Sequence, residues 1–340
     1  MGSLLARVVS LSLWVALFSL GATSAWGQTD ERAKLVEGAK KEGRLVWYTS
    51  TNVTESKPLL DDFEKQHPYI KAELFRASGE KTLNRIVTEA RAGRSEFDLV
   101  TISEVDAAID AKLLQPYRSP EAKSFIPEFK DPNGYWTAVY INYATIGYKP
   151  KLISEKEAPK QWEDLLDSKW RGKLSIDQEQ YSWYGTLHKA WGRERAQKYM
   201  RALAKQNIQW RKGHTLIAQL MAAGEFPLGV IYAHRIEEMK QKGAPVEWVN
   251  TVNPIVVTVN AAGISAKPQH PNAAKLFYDY LLSKPAQQRL RTLRRIPARP
   301  DIEPFSPRME QSKLKLQVEP AQTGPQFKQT IKEFREVFSL

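Results

Sequence analysis

The chain alternates between short runs of consecutive apolar residues and longer stretches in which apolar residues recur every three or four positions. The first pattern is that of a strand buried on both faces, the second that of an amphipathic helix. Residues 31–41 read as a helix closed by Gly43, and Leu45, Val46, Trp47 and Tyr48 as a buried strand running into Thr49, Ser50, Thr51 and Asn52. A helix carrying Leu59, Leu60 and Phe63 stops at Pro68, and residues 70–75 form the next strand. Leu83, Ile86, Val87 and Ala90 mark a further helix, and 97–102 a third strand. This order implies right-handed parallel crossovers and an open α/β sheet. Ligands on such sheets sit at the carboxyl ends of strands, here the loops after Tyr48, around Ser78 and Gly79, and around Ser103 and Glu104.

Residues 135–148, rich in aromatic and β-branched side chains, read as extended chain, and a second alternating unit follows. Its strands are 173–177 and 228–232; its helices carry Leu187 and Trp191, then Tyr199 and Leu203, then 215–223. Residues 255–259 are extended again, continuing through 262–264, and 273–282 and 285–295 read as helices. Two extended passages bracketing a middle α/β unit imply that the chain leaves a first lobe near Tyr143 and returns near Asn260. The expected division is a lobe of 28–144 plus 261–340 and a lobe of 145–260, joined by two strands that act as a hinge. Phe327, Ile331, Phe334 and Phe338, behind Gly324 and Pro325, predict a terminal amphipathic helix docked on the core.

The amino terminus changes the picture from fold to location. Arg7, a mostly apolar run over 8–20 and small residues at Gly21, Ala22, Ser24, Ala25 and Gly27 have the layout of an export signal spanning 1–27, with cleavage after Ala25 as the alternative. The 340 residues contain no cysteine, which excludes disulfides, thiolate metal sites, a cysteine nucleophile and a lipidated amino-terminal cysteine. The expectation is a freely diffusing periplasmic protein, monomeric, without cofactor and without stable membrane insertion. A net charge of +12 points to an anionic partner. It divides evenly: the expected first lobe carries 31 basic and 26 acidic residues and the second 18 and 12. The arginines at 289, 291, 294, 295 and 299 are the best support for nucleic-acid binding, but a solvated helix face accounts for them and a secreted chain has little access to nucleic acid.

Several phrases in fixed order resemble a known family: Gly43-Arg44-Leu45-Val46-Trp47-Tyr48, Phe97-Asp98-Leu99-Val100, Leu113-Leu114-Gln115-Pro116, Gly134-Tyr135-Trp136-Thr137, Trp162-Glu163-Asp164-Leu165-Leu166-Asp167, Trp170-Arg171-Gly172-Lys173, Ala223-Gly224-Glu225 and His270-Pro271-Asn272-Ala273-Ala274-Lys275. From about residue 31 to 301 the chain is similar to the extracellular solute-binding proteins of ABC importers, the ferric-iron-binding type of the type 2 periplasmic fold. The resemblance implies a two-lobed α/β binder, two open sheets joined by hinge strands, that delivers its ligand to a membrane permease and its ATPase. In the family's iron binders adjacent tyrosines on the second lobe supply phenolates, and a His or Tyr after the first strand adds a ligand. Aligning on Arg235 places Ile231 and Tyr232 at the tyrosine pair, and the first loop has neither His nor Tyr. If the ligand is iron with a synergistic anion, Tyr232 and Glu104 remain as metal ligands.

Ser50, Thr51 and Asn52 ahead of a helix suit an oxyanion or a polar organic ligand, and also suit ordinary helix capping. Lys212, Gly213, His214 and Thr215 repeat the arrangement on the second lobe. Tyr181, Trp183 and Tyr184 cannot share one helical face; Trp183 reads as core, and Tyr181 or Tyr184 as cleft wall. Tyr232 and His234 would share a face if both lay on a strand, with Arg235 as a carboxylate or phosphonate clamp or as the partner of Glu238. Glu104 and Asp106 suit a metal or ammonium contact, or with Asp110 cap a helix. The expected ligand is a small anion or polar organic molecule, a phosphonate, carboxylate or similar. A periplasmic enzyme using the same cleft is the alternative of another class, but the chain has no zinc-type HExxH, no GxSxG elbow and no nucleotide-cradling glycine motif.

Overall fold

The computed structural model describes residues 31–340; the expected export signal lies outside them. The chain opens with α1 (31–42), then β1 (Arg44–Thr49), α2 (Val53–Gln66), β2 (Lys71–Arg76), α3 (Gly79–Arg91), β3 (Leu99–Ile102), α4 (Val105–Asp110), β4 (Leu114–Gln115) and β5 (Thr137–Tyr148). The second unit is β6 (Leu174–Asp177), α5 (Tyr181–Trp191), α6 (Arg193–Ala204), β7 (Gln209–Arg211), α7 (His214–Ala223), β8 (Leu228–Tyr232), α8 (Ala233–Gln241) and β9 (Glu247–Trp248). It is followed by β10 (Ile255–Ser265), α9 (Pro271–Leu282), α10 (Lys284–Thr292), β11 (Ile296–Pro297), β12 (Leu316–Val318) and α11 (Gly324–Phe338).

The two units repeat one topology. In the first, β1 pairs in parallel with β2 on one side and β3 on the other; in the second, β6 pairs in parallel with β7 and β8. Each third strand then meets a long antiparallel strand, β10 against β3 and β5 against β8. Because β5 and β10 also pair with each other, the two half-sheets are continuous in hydrogen bonding, in the order β2-β1-β3-β10-β5-β8-β6-β7. Every residue of β5 and β10 is buried, as expected for strands covered on both faces, whereas edge strand β2 is half-exposed. The β5–β10 register slips between Asn260 and Ala261, near where the chain was expected to cross between lobes.

After β12 the tail does not stay with the first half. Gly324 donates its backbone N–H to Asp110 at the end of α4, while Phe334 and Phe338 pack on the opposite half. Phe334 meets Tyr181, Tyr184 and Trp210 edge-on, and Phe338 meets Trp210. Arg335 reaches Glu80 of α3 at 3.0 Å and the Tyr181 hydroxyl at 3.1 Å. Thus α11, capped by Thr323 and Gln326, is a strap touching both halves. Truncating the fully enclosed Phe334 to Ala should cost about 3–5 kcal/mol in chemical denaturation, against under about 0.5 kcal/mol for exposed Lys332→Ala. Equal effects would show that α11 is not packed as described.

Candidate functional site

A cavity of about 720 Å³ opens between the two units. Strands β1 to β3 and β6 to β8 each deliver the residues beyond their carboxyl ends to it: Ser50 and Asn52 after β1, Ser78 and Gly79 after β2, Ser103 and Glu104 after β3, Asp177 and Glu179 after β6, Gly213 to Thr215 after β7, and Tyr232 and Arg235 after β8. Tyr140 and Asn142 of β5 and Asn260 of β10 complete the lining with Arg295. The first residues of α3 and α7 lie on its wall, so partial positive charge from both helix N-termini faces it. Gly213, at φ +95°, makes the left-handed turn into α7 and donates its N–H to Asp177 at 2.7 Å.

Beneath the cavity lies a buried ion cluster. Glu55, in the first turn of α2, accepts from Arg235 at 2.7 Å and from Arg295 at 3.2 Å, and Arg235 also reaches Glu238 at 3.3 Å. All three members of the triad are buried, none more than 7% exposed. Arg295 further donates to Asn142 at 3.1 Å, lies 3.2 Å from His234 Nε2, and stacks its guanidinium 4.5 Å from the Tyr140 ring centroid. Its Nε has no partner among the described residues. His214 stacks on Tyr232 with centroids 3.6 Å apart, and its Nδ1 is likewise unpartnered. Asn260 Oδ1 is a third enclosed polar atom without a partner, although its amide donates to Ser50 at 2.9 Å. Unmet polar atoms enclosed at a cavity floor are the features a polar ligand satisfies.

Residues 59–315 match the family model described as bacterial extracellular solute-binding protein. The chain belongs to that family. Its members are transport-associated binding proteins rather than enzymes, and this solute-binding protein is the ligand-capturing component of an ABC importer. It is similar to the periplasmic binding protein AfuA of Actinobacillus pleuropneumoniae, whose structure contains exogenous fructose-6-phosphate. The identity is 26% and the TM-score 0.80, over 88% of this chain and 99% of that one. It is 22% identical to the Fe(3+)-binding periplasmic protein of Serratia marcescens over 81% of this chain and 84% of that protein. It is also 23% identical to the putative 2-aminoethylphosphonate-binding periplasmic protein of Salmonella paratyphi A over 85% of both. Among the described residues no helix is long and apolar enough to cross a membrane.

The solute-binding protein brings most of the sequence candidates together: Ser50, Asn52, Ser78, Gly79, Ser103, Glu104, Tyr181, His214, Thr215, Tyr232 and Arg235 all line the cavity. Three do not. Tyr48 points to the other side of β1, packing on Phe75 and Phe97 and donating to Glu89 at 3.0 Å. Thr51 is enclosed behind the lining, bonded to Thr49 and lying 3.3 Å from the Tyr140 hydroxyl. Tyr184 is core, against His188 and Phe334, and Tyr181 is the wall residue; Trp183 is fully buried. Tyr232 and His234 do not share a strand face, because β8 ends at Tyr232 and His234 lies in the first turn of α8. The expected helix through Arg295 ends at Thr292. Arg294 adopts a left-handed conformation, and the turn sends Arg295 inward, away from the solvated arginines of α10. Arg235 is both a candidate clamp and a partner of Glu238.

The acids in and behind the site are pushed both ways. Burial raises Glu55, but Arg295 and Arg235 overcome it and hold the carboxyl below its usual value. Burial raises Asp177 to about 6, Glu104 to about 7 and Glu319, which accepts from the Val259 N–H, to about 8. Burial, with Arg235 and Arg295 nearby, pushes His214 down to about 3, so its imidazole is neutral at physiological pH. Glu55 contributes stability that is present above its unfolded value and lost as pH falls. The three raised acids bind more protons folded than unfolded, so they subtract stability as pH rises from about 4 through about 8. Buried His214 and His234 do the opposite, adding stability as pH rises to their unfolded value of 6.5, so the acids act unopposed only above it. The melting temperature of the ligand-free protein should therefore fall from about pH 7 to pH 8, and Glu319→Gln should flatten that fall. An unchanged slope in the variant would show that Glu319 does not titrate in this range.

Proposed function

We propose that this solute-binding protein is exported to the periplasm, with residues 1–27 removed, and there captures a small organic oxyanion, a phosphate ester or phosphonate, for delivery to a permease and its ATPase. Lobes of 28–144 plus 261–340 and of 145–260 close on it by bending β5 and β10, with α11 crossing between them. The observation that carries the reading is the arginine pair: two buried guanidiniums share Glu55 at the cavity floor, and Arg295 Nε has no acceptor among the described residues. The unpartnered donor, the neutral His214 and the N-termini of α3 and α7 together favour an oxyanion. Relatives whose names specify fructose-6-phosphate and 2-aminoethylphosphonate support the same chemistry.

Ferric iron fits these residues less well. Two fixed cations, Arg235 and Arg295, line the same cavity as Tyr232 and oppose a trivalent cation there, and burial, then Asp177, hold the Tyr232 phenol above its usual value and hence protonated. Glu104 contributes one carboxyl, and no group of three or more His, Cys, Asp or Glu residues suited to a metal ion occurs among the described residues.

Calorimetric titration of the mature protein with sugar phosphates, phosphonates, small carboxylates and ferric citrate tests the reading. At least one phosphoryl or phosphonyl compound should bind at micromolar Kd or tighter with compaction in solution scattering. Arg295→Lys, which keeps the charge but loses the planar fork, should weaken that binding about ten- to a hundredfold. An orange-red iron complex with no affinity for phosphoryl compounds would contradict the proposal, as would turnover of the bound compound.

A further inference from the structure

Four acidic residues line the cavity, and three of them are satisfied within the protein. Glu80 is held by Arg335 at 3.0 Å and by the Tyr181 hydroxyl at 3.2 Å. Glu179 is paired with Lys212 at 2.5 Å. Asp177 accepts from the backbone of Gly213 and Glu179 at 2.7 and 2.8 Å. Glu104 differs. Its side chain lies so close to the first residue of α3 that a Cβ at Gly79 would meet the carboxyl group and displace it. It stands on the wall between the main cavity and a smaller one of about 190 Å³ behind it. Its Oε2 is enclosed and accepts no hydrogen bond, and the neighbouring Ser78 Oγ, at the α3 N-cap, is also unpartnered. Burial, Glu179 and Glu80 all disfavour its charge, backbone groups of Glu104 and Ser103 alone oppose them, and among the described residues no Lys or Arg forms an ion pair with it.

An enclosed carboxyl oxygen without a donor is costly, and a protein that keeps one in its binding cavity leaves the donor to the ligand. We propose that Glu104 is a specificity-determining residue that accepts a hydrogen bond from a hydroxyl or ammonium group of the ligand, so that the protein selects oxyanions that also carry a donor. The inference rests on the oxyanion reading. It places the oxyanion at the Arg235–Arg295 floor and the donor-bearing end at Ser78 and Glu104. Bare inorganic phosphate would leave Glu104 as it is in the free protein.

The test is a calorimetric comparison of 2-aminoethylphosphonate and fructose-6-phosphate with ethylphosphonate and inorganic phosphate, using wild type, Glu104→Gln and Glu104→Leu. Wild type should bind one of the donor-bearing compounds at least about tenfold more tightly than both donor-free ones. Leu should abolish that preference while keeping the donor-free affinities. Gln, which still has an acceptor oxygen, should restore most of it for a hydroxyl ligand but little for an ammonium ligand. Glu104→Gln should also raise the melting temperature of the ligand-free protein at pH 8, because it removes an unpaired charge. A donor preference unchanged in Glu104→Leu, or a ligand-free Glu104→Gln protein that melts lower, would overturn the assignment while leaving the oxyanion reading intact. Binding of ferric iron with no affinity for any of the four anions would overturn both.

Discussion

One carboxylate organises the centre of this molecule. Glu55 comes from the first turn of α2, Arg235 from the first turn of α8, and Arg295 from the turn after α10, so the ion triad joins three segments far apart in sequence and on both sides of the crossing strands. Charges this deep persist only when paired, and removal of one partner of such a set costs about 3–5 kcal/mol because it strands the others. Pairing fixes where α2 and α8 stand relative to β5 and β10. The neutral partners of Arg295, namely Asn142, His234 and the Tyr140 ring, extend the constraint into the β5 strand and the α8 helix. The positive charge at this floor faces the cavity, which is why one interaction accounts both for how the halves meet and for what they are suited to bind.

The repeated topology supplies the rest. Each half places a strand between two parallel neighbours, so in each half three carboxyl ends converge beside the crossing strands, and two such sets facing each other make a cleft. Cross-cleft contacts already join the sets: Asn52 to Thr215 at 3.4 Å and Glu80 to Tyr181 at 3.2 Å, while Arg335 of α11 also holds Glu80. Because Glu80 lies in the first turn of α3 and also lines the cavity, the strap helix α11 is mechanically connected to the ligand wall.

Much of this was legible in the sequence because period and punctuation agreed. The strand 228–232 was read with its observed bounds, and the helix bearing Phe327, Phe334 and Phe338 was recognised from its stripe. The loops singled out for ligand contact lie at strand ends, where the α/β topology has to place them. What was not legible depended on a single turn or on tertiary reach. Arg295 sits in a run of arginines indistinguishable by composition from a solvated face, and only the left-handed Arg294 turns it inward. Tyr48 and Tyr184 are aromatic residues beside the correct loops, but strand and helix phase turns them into the core. Strands β4, β9 and β12 are two or three residues long and exist only through their partners β5 and β10, so no local pattern announces them.

The central claim is that the oxyanion is bound at the guanidinium floor tied together by Glu55. Crystals of the mature protein grown with arsenate, or with an arsonate analogue of a bound phosphonate, test it directly through the anomalous signal of arsenic. The account predicts one dominant peak with its oxygens within hydrogen-bond distance of Arg295 and near His214 and Arg235. A dominant peak elsewhere in the cleft, with the floor arginines untouched, would contradict it.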